Sequence, residues 1–235
     1  VSGPIIAIRP EPGLGGTVDA AREMGMEVAA FPLFAVRPLE WDAPDPADYD
    51  ALLIGSANAI RHGGAATRAM RGKPVHAVGE ATAEAARRAG FTVAEIGSGG
   101  LQGLLDQRAG PPIRFLRLAG AERVALAPPP TVTILTRTVY ASEPLPLPNA
   151  MAALLREGAI VLLHSAAASR HFARECARLS VPRGSIRLAA LAPRVASAAG
   201  NGWAEVRTAQ TPREGSLLAL VRDMCHQPPP APDQA

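Results

Sequence analysis

Three stretches of this chain place small polar residues where an apolar run gives way to a helical pattern: Ser56-Ala57-Asn58, Gly79-Glu80-Ala81-Thr82, and Ser165 with Ser169. Side-chain oxygens at such junctions cap helices, accepting hydrogen bonds from first-turn amides that have no intrahelical partner. In a chain that alternates strand and helix, these junctions fall at the carboxyl ends of parallel strands, the edge at which open α/β sheets hold ligands. A helix N-terminus attracts anions, worth about 0.3–1 kcal/mol when exposed and about 2 when sheltered. One such residue is simply a cap. Several along the edges of two facing sheets would line a cleft suited to a polyanion.

Other chemistry finds little support. Gly13-Leu14-Gly15-Gly16 follows a strand but lacks the spacing and the downstream acid of a dinucleotide fingerprint, and reads as a loose turn. Gly72-Lys73 is followed by Pro74 rather than Ser or Thr, so it is no phosphate-binding loop. His62, His76, His164, His171 and His226 are scattered without metal-ligand spacing. No Ser-His-Asp or Cys-His arrangement can be assembled. Cys176 shares a helical stripe with Phe172 and Leu179 and reads as core, while Cys225 lies near a C-terminus expected to fray. A structural disulfide is therefore not expected, and a reducing compartment fits.

The elements that must position the polar junctions repeat. Ala51-Leu52-Leu53-Ile54-Gly55-Ser56-Ala57-Asn58 is echoed by Ile160-Val161-Leu162-Leu163-His164-Ser165-Ala166-Ala167. A second strand-helix unit follows each copy, closing on Gly90-Phe91 and Gly202-Trp203. Strands are expected over residues 4–9, 27–31, 51–55, 74–78, 92–96, 113–118, 131–140, 160–164, 187–191 and 204–208. Helices are expected between them, including an unbroken one over 57–70. Residues 31–38 are extended and bracketed by proline, a crossover rather than a helix. Pro128-Pro129-Pro130 interrupts where a further helix would normally stand. The alternation predicts an α/β fold with a mostly parallel sheet in each half.

The 235 residues suffice for one large or two small α/β domains. Hydrophobic residues at 48% with only 4% aromatic predict cores of Ala, Leu and Val. The formal charge of +3 is a mild basic excess. Arginine far outnumbers lysine, which suits bidentate carboxylate or phosphate contacts and equally reflects a GC-rich coding sequence. There is no basic block or aromatic surface for nucleic acid, and no apolar run of membrane-spanning length. With no signal-peptide pattern, a cytoplasmic protein is expected.

In order along the chain come Arg9-Pro10 closing the first strand, Ser56-x-Asn58-Ala59, Val78-Gly79-x-x-Thr82-Ala83 and Val139-Tyr140-x-Ser142. The Ser165 repeat and Thr211-Pro212 before a Leu-rich helix complete the set. Together they resemble uroporphyrinogen-III synthase from about Ile5 to Leu220. Each motif is short, and the specificity lies in order and spacing.

The resemblance implies two Rossmann-like or flavodoxin-like parallel-sheet domains joined by a two-stranded β-ladder. One domain would be residues 1–31 plus 145–226, the other 40–130. Segments 32–39 and 131–144 would be the connecting strands, and 227–235 a disordered tail. Members of the family close the linear tetrapyrrole hydroxymethylbilane into uroporphyrinogen III. The terminal hydroxyl leaves, a spiro intermediate forms and the last pyrrole ring is inverted. The resemblance implies a cyclising lyase of porphyrin and heme biosynthesis with no cofactor and no metal. It would be a monomer, acting on a carboxylate-rich substrate and in passing contact with the preceding enzyme of the route.

Carried over residue by residue, the resemblance implies that Ser56, Asn58, Gly79 and Thr82 line the substrate site and that Tyr140 is the recurring connector tyrosine. Tyr140 is then the candidate proton donor for hydroxyl departure, or a tyrosine packed at the connector. Ser165 is the counterpart of Ser56 in the other half. Arg9 either meets a substrate carboxylate or pairs with a structural acid. The returning half departs from the pattern: Leu191-Ala192-Pro193-Arg194-Val195 replaces the Val-Gly-x-x-Thr motif, and His164 stands where Thr or Ser often precedes the repeat's serine. These departures leave room for a non-catalytic two-lobed anion binder or a degenerate member with an interaction role. A nucleotide-dependent transferase using the Gly13–Gly16 turn is a further alternative.

Overall fold

The computed structural model of the protein describes residues 3–227. In chain order its first elements are β1 (Ile5–Ala7), α1 (Gly13–Glu23), β2 (Val28–Ala30), β3 (Phe34–Pro38), β4 (Ala51–Ile54), α2 (Ala57–His62), α3 (Gly64–Ala69), β5 (Val75–Val78) and α4 (Glu80–Arg88). There follow β6 (Val93–Gly97), α5 (Gly100–Asp106), β7 (Ile113–Gly120), β8 (Val132–Pro144), α6 (Asn149–Arg156), β9 (Ala159–Leu163) and α7 (Ala166–Arg178). The last are β10 (Ile186–Ala190), α8 (Pro193–Ser197), β11 (Glu205–Thr208) and α9 (Glu214–His226). The tail expected over 227–235 lies, beyond Gln227, outside the described residues.

The chain divides into two compact units. A split unit runs up to Ala35 and resumes at Pro144, and a middle unit is Val36–Glu143. The sheet of the split unit has the order β11-β10-β9-β1-β2, with every pairing parallel. Counted along the unit's own chain, this is the 2-1-3-4-5 order of flavodoxin-like folds, whose direction of winding reverses between β1 and β9. The three inner strands are buried along their whole length. That is why they read as continuous apolar runs rather than alternating ones. Ile6, Ile8, Val161, Leu163, Leu188 and Phe172 of α7 form the core on one face. Ile5, Ile160, Leu162 and the Leu217, Leu218 and Val221 stripe of α9 form it on the other.

In the middle unit the sheet order is β3-β8-β7-β4-β5-β6. The five strands from β8 to β6 are mutually parallel. Their order is the 3-2-1-4-5 of a Rossmann half, with its reversal between β4 and β7. β3 adds to β8 in the antiparallel sense, the Leu39 amide donating to the Val139 carbonyl at 3.0 Å. Leu52, Ile54, Leu116 and Leu118 face α2, α4 and Met70 just after α3, and Leu53 and Phe115 face Leu104 and Leu105 of α5.

Three local expectations are corrected. The helix expected over 57–70 is broken into α2 and α3 at Gly63-Gly64, where Gly64 has φ +70°, a left-handed conformation that favours glycine. Gly13-Leu14-Gly15-Gly16 is no loose turn but the first turn of α1. A side chain at Gly13 would sit 2.5 Å from Arg9 Nε, so glycine there makes room for the arginine. Cys225 lies within α9, half-buried against the α9 core, rather than in a frayed end.

Between β7 and β8 no helix intervenes, and the proline-rich 121–131 segment carries the crossover alone. That segment leaves from the carboxyl end of β7, where the middle unit's candidate residues also lie, and runs back to the start of β8.

Candidate functional site

Five of the candidate residues lie in the middle unit, and the register levels them along one sheet edge. Ile54 pairs with Leu118 of β7 and Ala77 of β5, so Gly55-Ser56 and Val78-Gly79 end their strands side by side. Gly120 ends β7 opposite Tyr140 of β8, beyond a register shift at Ala119. Ser56 and Gly120 thus flank the winding reversal between β4 and β7, with Gly79 one strand away on one side and Tyr140 on the other.

Ser56 caps α2, its Oγ accepting from the Asn58 amide at 3.2 Å. The hydroxyl hydrogen remains for another acceptor. Asn58 takes a long bond from Arg61 through Oδ1. Gly79 has φ +76° and ψ 152°, a conformation open in practice only to glycine, and no side chain caps α4 behind it. Thr82 is only 6% exposed, in the first turn of α4. It lies at the end of α4 that follows the strand edge, three residues after Gly79. Tyr140 is half-buried, its ring against Gly120, where a Cβ would lie 2.7 Å from Tyr140 Cζ. The His62 ring centroid is 6.4 Å from that of Tyr140. Burial, with the Arg61 charge, pushes His62 below the ordinary histidine range, which keeps this neighbour of Tyr140 neutral.

Arg9 and Ser165 lie in the split unit, at the winding reversal between β1 and β9. Ser165 caps α7 through a 3.1 Å bond from the Ala168 amide. Arg9 meets a protein acid: its Nη1 is 2.8 Å from Glu214 Oε2 and donates to Thr17 Oγ1 at 3.3 Å. The other Glu214 oxygen accepts from the Thr17 hydroxyl at 2.6 Å and lies 3.2 Å from His164 Nε2. Burial alone would raise the Glu214 carboxyl. The bonds from His164 and Thr17 and the charges beside it outweigh that and hold it at about 2. Of the two roles open to Arg9, pairing with an acid is present in the fold. At 31% exposure the guanidinium still keeps donors toward solvent.

Sequence reasoning missed Glu214, Thr17 and the participation of His164. An acid in the first turn of the last helix was the one available signal, a common preference that names no partner. The motif that departs at 191–195 forms α8, whose N-cap position, Ala192, offers no side-chain cap. Among the described residues, no three of His, Cys, Asp and Glu gather as a metal site, and no helix is long and apolar enough to cross a membrane.

The geometry therefore consists of two sheets of known winding, each with polar junction residues at its reversal point. The family model of uroporphyrinogen-III synthase HemD matches residues 16–219, most of the chain. This chain belongs to the uroporphyrinogen-III synthase family. Among solved structures, the uroporphyrinogen-III synthetase of Helicobacter pylori superposes with a TM-score of 0.64 at 16% identity, covering 94% of this chain and 99% of that one. A mutant uroporphyrinogen III synthase from the extremely thermophilic bacterium Thermus thermophilus gives 0.51 at 18% identity, covering 95% and 100%. At these identities the likeness shows a shared fold, while membership of the family rests on the sequence match. No curated protein matches the chain closely in sequence.

Proposed function

We infer that this protein performs the reaction of its family, closing hydroxymethylbilane to uroporphyrinogen III with loss of water and inversion of the last ring. The match of the family over 16–219 carries this reading. The polar residues at the winding reversals, where α/β sheets bind ligands, support it.

Catalysis is mainly positioning. Hydroxymethylbilane can close without inversion on its own, so the protein must hold the chain ends in the geometry of the spiro route. Such orientation supplies up to about 7–11 kcal/mol of barrier lowering. In the middle unit, the Ser56 hydroxyl, the Asn58 side-chain amide and the uncapped start of α4 at Gly79 are the donors for substrate carboxylates. Thr82, in the first turn of α4, completes this edge of the site. In the split unit Arg9 and Ser165 have that task, Arg9 through the donors left over from Glu214. Tyr140 donates the proton that leaves with the terminal hydroxyl as water. A positioned acid of this kind is worth about 10²–10⁴ in rate. The protein works as a monomer in the cytoplasm, and the lability of its substrate favours brief contact with the enzyme that supplies it.

The test is a coupled assay from porphobilinogen with isomer analysis of the oxidised product. Isomer III above the spontaneous background is the expected result. Isomer I alone, at the uncatalysed rate, would refute the reading in favour of a binding or interaction role.

A further inference from the structure

Arg117 lies on β7 and is only 7% exposed. Burying a guanidinium is costly unless a counter-charge and hydrogen bonds accompany it. Arg187 of β10, in the split unit, is equally buried at 7% and shows how this chain meets that cost. Its Nε is 2.7 Å from Glu205 Oε2 and its Nη1 is 2.7 Å from the Met224 carbonyl. Arg117 has no such partner. Its Nη2 donates to the Val124 carbonyl at 2.9 Å, while its Nε is buried with nothing to bond.

The surroundings of Arg117 make matters worse rather than better. Arg123, in the segment after β7, lies close enough to repel it. Burial, reinforced by Arg123, pushes the Arg117 guanidinium below the ordinary arginine range. Arg123 Nη1 is itself tethered to the Gly120 carbonyl at 3.1 Å and to Thr138 Oγ1 at 3.0 Å. Among the described residues neither arginine forms an ion pair. Two cations are thus held together by neutral oxygens toward the carboxyl end of β7, one of the two strands at the middle unit's winding reversal.

We propose that Arg117 and Arg123 form an anion site at the carboxyl end of β7 that receives a carboxylate of the substrate. The proposal rests on the family reaction inferred above and adds to it two residues that none of the motifs singled out. A planar guanidinium with an unused Nε–H presents the fork that a carboxylate fills with two parallel bonds. The arriving charge offsets both the desolvation of Arg117 and its repulsion by Arg123. The free protein carries the strain, and the bound substrate relieves it.

The test compares the parent with Arg117→Met and Arg123→Met, the second being an exposed residue whose loss the fold tolerates. Three quantities are read: the Tm of the free protein, the Tm rise given by inorganic phosphate over chloride at equal ionic strength, and KM and kcat with isomer analysis. Arg117→Met should raise the Tm of the free protein by a few degrees, roughly the return from removing an unpaired buried charge. It should also abolish the phosphate effect and raise KM by about tenfold or more, the factor for one lost charged hydrogen bond, with kcat within about threefold. Arg123→Met should raise KM in the same direction. A lowered Tm with unchanged KM would make Arg117 a structural brace and overturn the proposal. A phosphate effect lost without any change in KM would assign the site to free anions and overturn its link to substrate. If Arg117→Met does not fold, Arg123→Met decides alone, and an unchanged KM refutes the site. A parent that makes no isomer III would instead overturn the family reaction, leaving the phosphate measurement to judge the cation pair.

Discussion

Glu214 binds the split unit's reversal point together, and removing its charge should have an effect that pH switches off. The carboxylate joins α9 to Arg9, to Thr17 of α1 and to His164 beyond β9. Its pKa falls from 4.5 to about 2 against the opposing effect of burial. At about 1.4 kcal/mol per tenfold change in proton affinity, this sets a ceiling of about 3 kcal/mol of stability. The side chain is 31% exposed, and solvent screening reduces the expectation to about 1–2 kcal/mol. Because the folded state holds this proton more weakly than the unfolded chain, the contribution is complete above pH 4.5 and is lost as pH falls toward 2. Glu214→Gln keeps the size and one acceptor but not the charge. Urea unfolding of parent and variant should differ by about 1–2 kcal/mol at neutral pH and by less than half of that at pH ~3. Glu175, also held at about 2 by Arg178 and the Leu147 amide, is common to both proteins and cancels in the difference. A difference that stays constant across this range would show that Glu214 acts through shape rather than charge, and the electrostatic account of Arg9 would go with it.

Three further outcomes are expected. Tyr140→Phe should lower kcat by about 10²–10⁴ with little change in Tm, and a fall of no more than about threefold in steady-state turnover would remove Tyr140 from acid catalysis. Gly120→Ala drives a methyl to within 2.7 Å of Tyr140 Cζ, so the ring must shift. Turnover should drop with it, at a stability cost of about 1–3 kcal/mol by chemical denaturation, and full activity would show that the ring position is immaterial. Ser165→Ala removes the α7 cap and should destabilise the protein by about 0.5–2 kcal/mol, whereas Ser165→Asn should lose far less. Equal losses in the two variants would mean that the 3.1 Å cap bond carries none of the stability.

Much of the fold was legible because its signals act over short distances. The apolar runs of β4 and β9 announce strands covered on both faces, and Ser56 and Ser165 announce the helices that follow, since a cap reaches only two or three residues along the chain. The break between α2 and α3 is also written locally, in Gly63-Gly64. The burial of Thr82 is the opposite case, since it depends on how α4 rolls against β5, which no local spacing specifies.

The sequence by itself determined the alternation of strand and helix, the duplicated design and the family, because periodicity, caps and ordered motifs need only near neighbours or simple succession. The tertiary structure alone decided which charges find partners. Arg9 and Glu214 are 205 residues apart and meet only because β1 and α9 pack in one unit. Arg187 finds Glu205 because β10 and β11 are adjacent strands. Arg117 finds no acid because its neighbours across the sheet are Leu53 and Thr136. Strand order sets these meetings, and strand order follows from the packing of whole layers rather than from any segment of the chain.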